Sequence, residues 1–227
     1  AGMRLFAGLV FCSLALTFGL PTIVEGSRLY IDSTRTAILI DAQAAILNDR
    51  FDISYSLADR IVDISPSDPA GYVTRAASML ARMTADEENF FGENFEQLLD
   101  TITFLCEREM TTADPPRKAW LYLFIGHAQA YRSLFESKFG SSYNAALIGL
   151  RTKSSYRAGL EQDSSLTDLY FGLGSYHYWK SVKAGLFRWI GLFRNDIQLG
   201  IEELRLAADS SLFSQDISHA ALAWVWL

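Results

Sequence analysis

Cysteine, proline and histidine are scarce in this chain, and basic residues are outnumbered by acidic ones. Its 227 residues hold two cysteines, five prolines and three histidines, with 20 Lys and Arg against 26 Asp and Glu. Two cysteines cannot build a disulfide framework, so the fold must rest on packing. The formal charge of −6 argues against nonspecific binding to nucleic-acid phosphates, and no nucleic-acid partner is expected. Half the residues are apolar and a fifth are charged, which suits a folded protein and excludes a disordered one. Long stretches without Pro or Gly favour helices.

The motifs of common chemistry are missing as well. Gly172-Leu173-Gly174 lacks the strand and the spacing of a dinucleotide loop. His127, His177 and His219 lie far apart, and none has a second His or Cys at ligand spacing. No nucleophile-elbow serine and no His-Glu metalloprotease pattern occurs. The carboxylates of ADEENFFGENFEQLLD read as the solvated start of a helix, where negative charge suits the dipole. Cys106, at apolar spacing with Leu99, Ile102 and Leu105, reads as a buried small hydrophobe rather than a nucleophile. The chain is therefore expected to be non-enzymatic, with no catalytic residue, metal or cofactor.

What is present begins at the N-terminus. Arg4 precedes an uncharged run from Leu5 to Val24, and Val24 and Gly26 stand at the −3 and −1 places before Ser27. This is the pattern of a secretory signal peptide over residues 1–26. The rival is an uncleaved anchor, because a run of 20 residues is just long enough to span a bilayer. Loss of residues 1–26 would remove Arg4, Glu25 and Cys12, leaving the charge unchanged and Cys106 alone.

From residue 27 onward the periodicity is helical throughout. STRTAILIDAQAAIL, residues 33–47, places Ile38, Ala42, Ala45 and Ile46 on one face, and ISYSLADRIVDI does the same with Leu57, Ile61 and Ile64. Further helices are expected near 69–83, 87–110, 115–138, 142–162, 166–183, 197–209 and 213–227. Turns containing Asp32, Asp68, Asp114, Asp163 and Asp209 precede alternate helices, a near-regular spacing that points to stacked helix hairpins. FSQDISHAALAWVWL reads as a first helix without a second to cover Trp224, Trp226 and Leu227, so the repeat domain, 27–227, is expected to be incomplete at its C-terminus.

Tyr122, Ile125, Gly126 and Gln129 follow one spacing, and Tyr170, Leu173, Gly174 and His177 repeat it. Gly200, Leu204 and Ala207 follow another. In these positions the chain resembles the tetratricopeptide-repeat family, in which a small residue lets the second helix of a hairpin approach the first. The resemblance implies an all-α fold, a right-handed superhelical array of antiparallel helix hairpins. It also implies a concave groove that binds peptides. The later repeats exceed the family's usual length of about 34 residues.

The segment YFGLGSYHYWKSVKAGLFRWIGLFR, residues 170–194, holds eight aromatic and four basic residues, with no acid between Asp168 and Asp196. By the family's pattern, Phe171, Ser175, Tyr178 and Trp179 turn toward the groove. Trp120, Leu123, His127, Ala130 and Tyr131 are the matching positions of the preceding repeat. Aromatic side chains there would offer large contact area with few rotors to freeze. The competing reading is that these aromatics fill the wider spaces between long helices. Arg188 and Trp189 belong to KAGLFRWIGLFR, a short amphipathic turn that suits either packing over the core, a docked partner or an interface.

Together these features lead to the expectation of an exported scaffold, periplasmic or envelope-associated, that captures a protein or peptide. The alternative is an envelope assembly factor held by an uncleaved anchor, with residues 185–194 in peripheral contact with lipid or a partner. A third reading makes the array the docking module of an enzyme whose catalytic part lies beyond residue 227.

Overall fold

The computed structural model describes residues 31–183 and 195–225. The expected signal peptide or anchor at 1–26, the segment 184–194 with Arg188 and Trp189, and residues 226–227 lie outside the described residues. Among those described, the chain is all-helical. Its helices are α1 (Ser33–Leu47), α2 (Phe51–Ile64), α3 (Pro69–Asp86), α4 (Gly92–Met110) and α5 (Pro115–Phe139). They continue with α6 (Ser142–Gln162), α7 (Asp168–Lys183), α8 (Ile197–Ser210) and α9 (Gln215–Val225).

Aspartates start three of them. Asp32 accepts the Arg35 amide at 2.9 Å, Asp68 that of Ala70 at 2.9 Å, and Asp114 that of Arg117 at 3.0 Å. Each satisfies an amide that the first turn leaves without an intrahelical partner. Pro69 and Pro115 fill the first helical positions of α3 and α5, where a missing N–H costs nothing. Asp163 holds the α6–α7 turn by accepting the Ser165 amide at 2.9 Å.

Asp209 departs from the series, because it lies inside α8 rather than before α9. The α8–α9 turn is held instead by Asp168, from the first turn of α7. Its two oxygens accept the amides of Leu212, Phe213 and Ser214 at 3.0, 2.8 and 2.9 Å, and the Ser214 hydroxyl at 3.0 Å. Asp168 is wholly buried; burial raises its pKa while the four hydrogen bonds draw it back.

The start of α4 also differs from expectation. Glu87 takes a left-handed φ of 58° that closes α3, and Asn89 Oδ1 accepts the Gly92 amide at 2.9 Å. Residues 87–91 therefore turn, and of the acids in ADEENFFGENFEQLLD only Glu93 stands in the first turn of α4.

One apolar core runs from Ile31 to Leu173. On α4, Phe95, Leu99, Ile102 and Cys106 are fully buried at spacings of four, three and four, the stripe of a helix with one covered face. Helices pack mainly on their chain neighbours and, less extensively, α1 on α3, α3 on α5, α5 on α7 and α7 on α9. The N-termini of the first three odd helices are pinned by charge. Arg35 reaches Asp68 at 3.4 Å, and Arg117 lies 3.9 Å from Asp68 while forking onto Glu109 at 2.6 and 2.7 Å.

Glycine sets the closest crossings. A Cβ at Gly126 would stand 2.3 Å from the Tyr156 ring, and one at Gly172 would stand 2.1 Å from it. Tyr156 is thus gripped between α5 and α7. Where α7 crosses α8, a Cβ at Gly174 would lie 2.8 Å from the Gly200 carbonyl oxygen, a backbone contact that cannot rotate away.

Candidate functional site on the outer face of helix seven

These crossings decide which side of α7 remains open. Leu169 and Gly172 face α6, since Gly159 and Tyr156 meet them. Gly174 and His177 face α8, with His177 Nδ1 2.6 Å from Glu203 Oε2 in a buried pair. Phe171, Ser175 and Tyr178 are half-buried, while Trp179 and Val182 are exposed. Their spacing of four, three, one and three places them along one helical stripe. Trp179 stands 36% exposed, and its ring meets that of Tyr178 edge-on at 5.4 Å.

On α5 the first part of the matching face is closed. Trp120 is only 2% exposed; its ring packs edge-on against Phe213 at 5.7 Å and beside Phe124 at 6.2 Å. The α8–α9 turn that Asp168 captures carries Phe213 onto it, so Trp120 is a core side chain. Leu123 is likewise buried. His127 is half-buried between two tyrosines, stacked on Tyr131 at 5.8 Å and bonded through Nδ1 to the Tyr156 hydroxyl at 3.0 Å. Burial pushes the His127 pKa down to about 4 and raises those of Tyr131 and Tyr156. All three rings are therefore neutral near pH 7.

Of the residues singled out from the sequence, the structure gathers Phe171, Ser175, Tyr178 and Trp179 on one stripe. It sets Trp120, His127 and Tyr131 in or beside the packing of α5. Arg188 and Trp189 are outside the described residues. Val182 was not singled out, although its place three residues beyond Trp179 was a usable signal.

Beside the stripe lies a basic edge. Lys153 Nζ and Lys180 Nζ lie 5.5 and 5.8 Å from the centre of the Tyr176 ring, a cation–π arrangement. Lys180 also pairs with Asp196. Burial, then the nearby Arg157 and Lys180 charges, lowers the pKa of Lys153.

Cys106 is buried and its thiol pKa is pushed far up, which disfavours the reactive thiolate. No group of three or more His, Cys, Asp or Glu able to hold a metal ion occurs among the described residues. No described helix is long and apolar enough to cross a membrane. No family model, curated protein or solved structure matches this chain.

Proposed function

We propose that the chain is a non-enzymatic scaffold of the tetratricopeptide-like kind, exported to the periplasm or held at the envelope, that captures a peptide or protein partner. The observation that carries this reading is the stripe Phe171–Ser175–Tyr178–Trp179–Val182, left partly open with Trp179 and Val182 exposed, whereas Trp120 and Leu123 at the matching start of α5 are buried. A rigid helix presenting Tyr and Trp side by side offers the contact area that binding hot spots use. The order of helix contacts supports the arrangement as an array of hairpins, since each helix packs on its chain neighbours and odd helices pack on odd ones.

Panning a library of displayed peptides on the immobilised chain tests the reading. The wild-type chain should enrich a sequence class that Tyr178→Ala with Trp179→Ala no longer retains, with unchanged helical circular dichroism. Loss of helical signal in the double variant would make the pair core residues and overturn the assignment.

A further inference from the structure

A second opening lies at the other end of the molecule. A cleft of about 440 Å³ separates α2 from α4, within the range of pockets that take small ligands. Its floor is Met79 of α3, almost fully buried. Its walls are the Tyr55 ring of α2 and Phe91, just before α4, which meet edge-on at 6.1 Å and 76°. Leu98 completes the apolar lining, and Asn94 and Gln97 stand at the rim, one turn apart on α4 and both exposed.

The chemistry of this lining is specific. Two rings set edge to face, with a thioether beneath them, favour a third aromatic ring over an aliphatic group. The one charge on the lining is already partly compensated. Arg75, its cation, pairs with Asp59, and the Tyr55 hydroxyl donates to the Ser78 carbonyl at 3.4 Å. Burial pushes the Tyr55 pKa up to about 12, so the phenol stays neutral. At the rim, Gln97 donates its Nε2 to Glu93 Oε1 at 3.2 Å, which leaves its own Oε1 as an acceptor. The Asn94 carboxamide offers both a donor and an acceptor. A peptide backbone presents the complementary pair beside each side chain.

The geometry points to this cleft as a binding site for a neutral aromatic side chain carried on an extended peptide, the ring lying against Tyr55, Phe91 and Met79 and the backbone against Asn94 and Gln97. The site shares no residue with the α7 stripe and stands or falls without it.

The test is a titration of the isotope-labelled 227-residue chain by nuclear magnetic resonance. N-acetyl-tryptophanamide is the probe; N-acetyl-leucinamide, N-acetyl-glycinamide and indole are the comparisons. The proposal expects saturable shifts at the side-chain amides of Asn94 and Gln97 and at the Tyr55 ring. Asn94→Ala with Gln97→Ala, both on exposed positions that leave the core untouched, should weaken the tryptophan probe by roughly three- to tenfold, the scale of one or two neutral hydrogen bonds. Equal binding of the leucine probe would overturn the preference for an aromatic ring, and equal binding of indole would overturn the backbone contact. The absence of a saturable shift, or an undiminished affinity in the double variant, would overturn the site itself.

Discussion

The phenol of Tyr156 and the imidazole of His127 share a hydrogen bond of 3.0 Å across the crossing of α5 and α6. The same phenol ring is wedged between Gly126 and Gly172, so one side chain joins α5, α6 and α7 by contact and binds α5 again, at His127, through polarity. Burial holds the His127 pKa near 4, below its ordinary 6.5. The unfolded chain therefore takes up a proton first as pH falls. The His127 contribution to stability is complete above about 6.5 and is lost between there and about 4. Urea unfolding at pH 7 and pH 4.5 should show a smaller acid loss in His127→Gln than in the wild-type chain. Equal losses would mean that His127 titrates normally.

The α7–α8 crossing has no slack. Gly174→Ala would set a methyl group 2.8 Å from the Gly200 carbonyl oxygen and 2.9 Å from the Leu204 amide nitrogen. Overpacking of this kind costs about 1–3 kcal/mol, and a backbone obstacle places the change at the upper end. Thermal unfolding should show a clear fall in Tm. Gly149→Ala is the control, because its nearest neighbours would be 3.8 and 4.0 Å away, and in the interior of α6 it should raise Tm slightly.

Asp168 ties α9 to the rest of the molecule. Asp168→Ala removes four hydrogen bonds and leaves the buried Ser214 amide and the part-buried Leu212 and Phe213 amides without this acceptor, at a cost of about 2–4 kcal/mol. Hydrogen exchange should show early loss of protection in Leu212–Ser214 and α9, with α1–α4 largely unaffected. Asp168→Asn retains one acceptor oxygen and should fall between the two.

Much of this architecture was legible from local signals. The aspartate caps at Asp32, Asp68 and Asp114, followed by Ser or Pro at the first helical position, set the starts of α1, α3 and α5 where spacing predicts them. The small residues Gly126, Gly174 and Gly200 marked real close crossings. What the sequence hid depended on contacts distant along the chain. Asp168 serves a turn more than forty residues away, and nothing local distinguishes it from Asp209, which the spacing favoured. Trp120 and Trp179 carry the same residue type in similar helices. One is covered because Phe213 folds onto it, and no periodicity within α5 reports that. The left-handed Glu87 that ends α3 was equally silent, because a run of acids reads as readily as a helix start.

The outer stripe of α7 should tolerate change better than any face it adjoins. Trp179→Ser, at a position still 36% exposed, should cost about 1–2 kcal/mol. Trp120→Ser, in the core, should cost several kcal/mol. Parallel denaturant titrations of the two variants measure the contrast directly.

The central claim is that the α7 stripe is a surface for a partner, and photo-crosslinking in the native cell tests it most directly. A photoreactive side chain at position 179, with one at position 120 as the buried control, should yield a single dominant protein adduct from 179 and none from 120, as read by mass spectrometry. Lipid adducts at 179, or none above background, would contradict the claim.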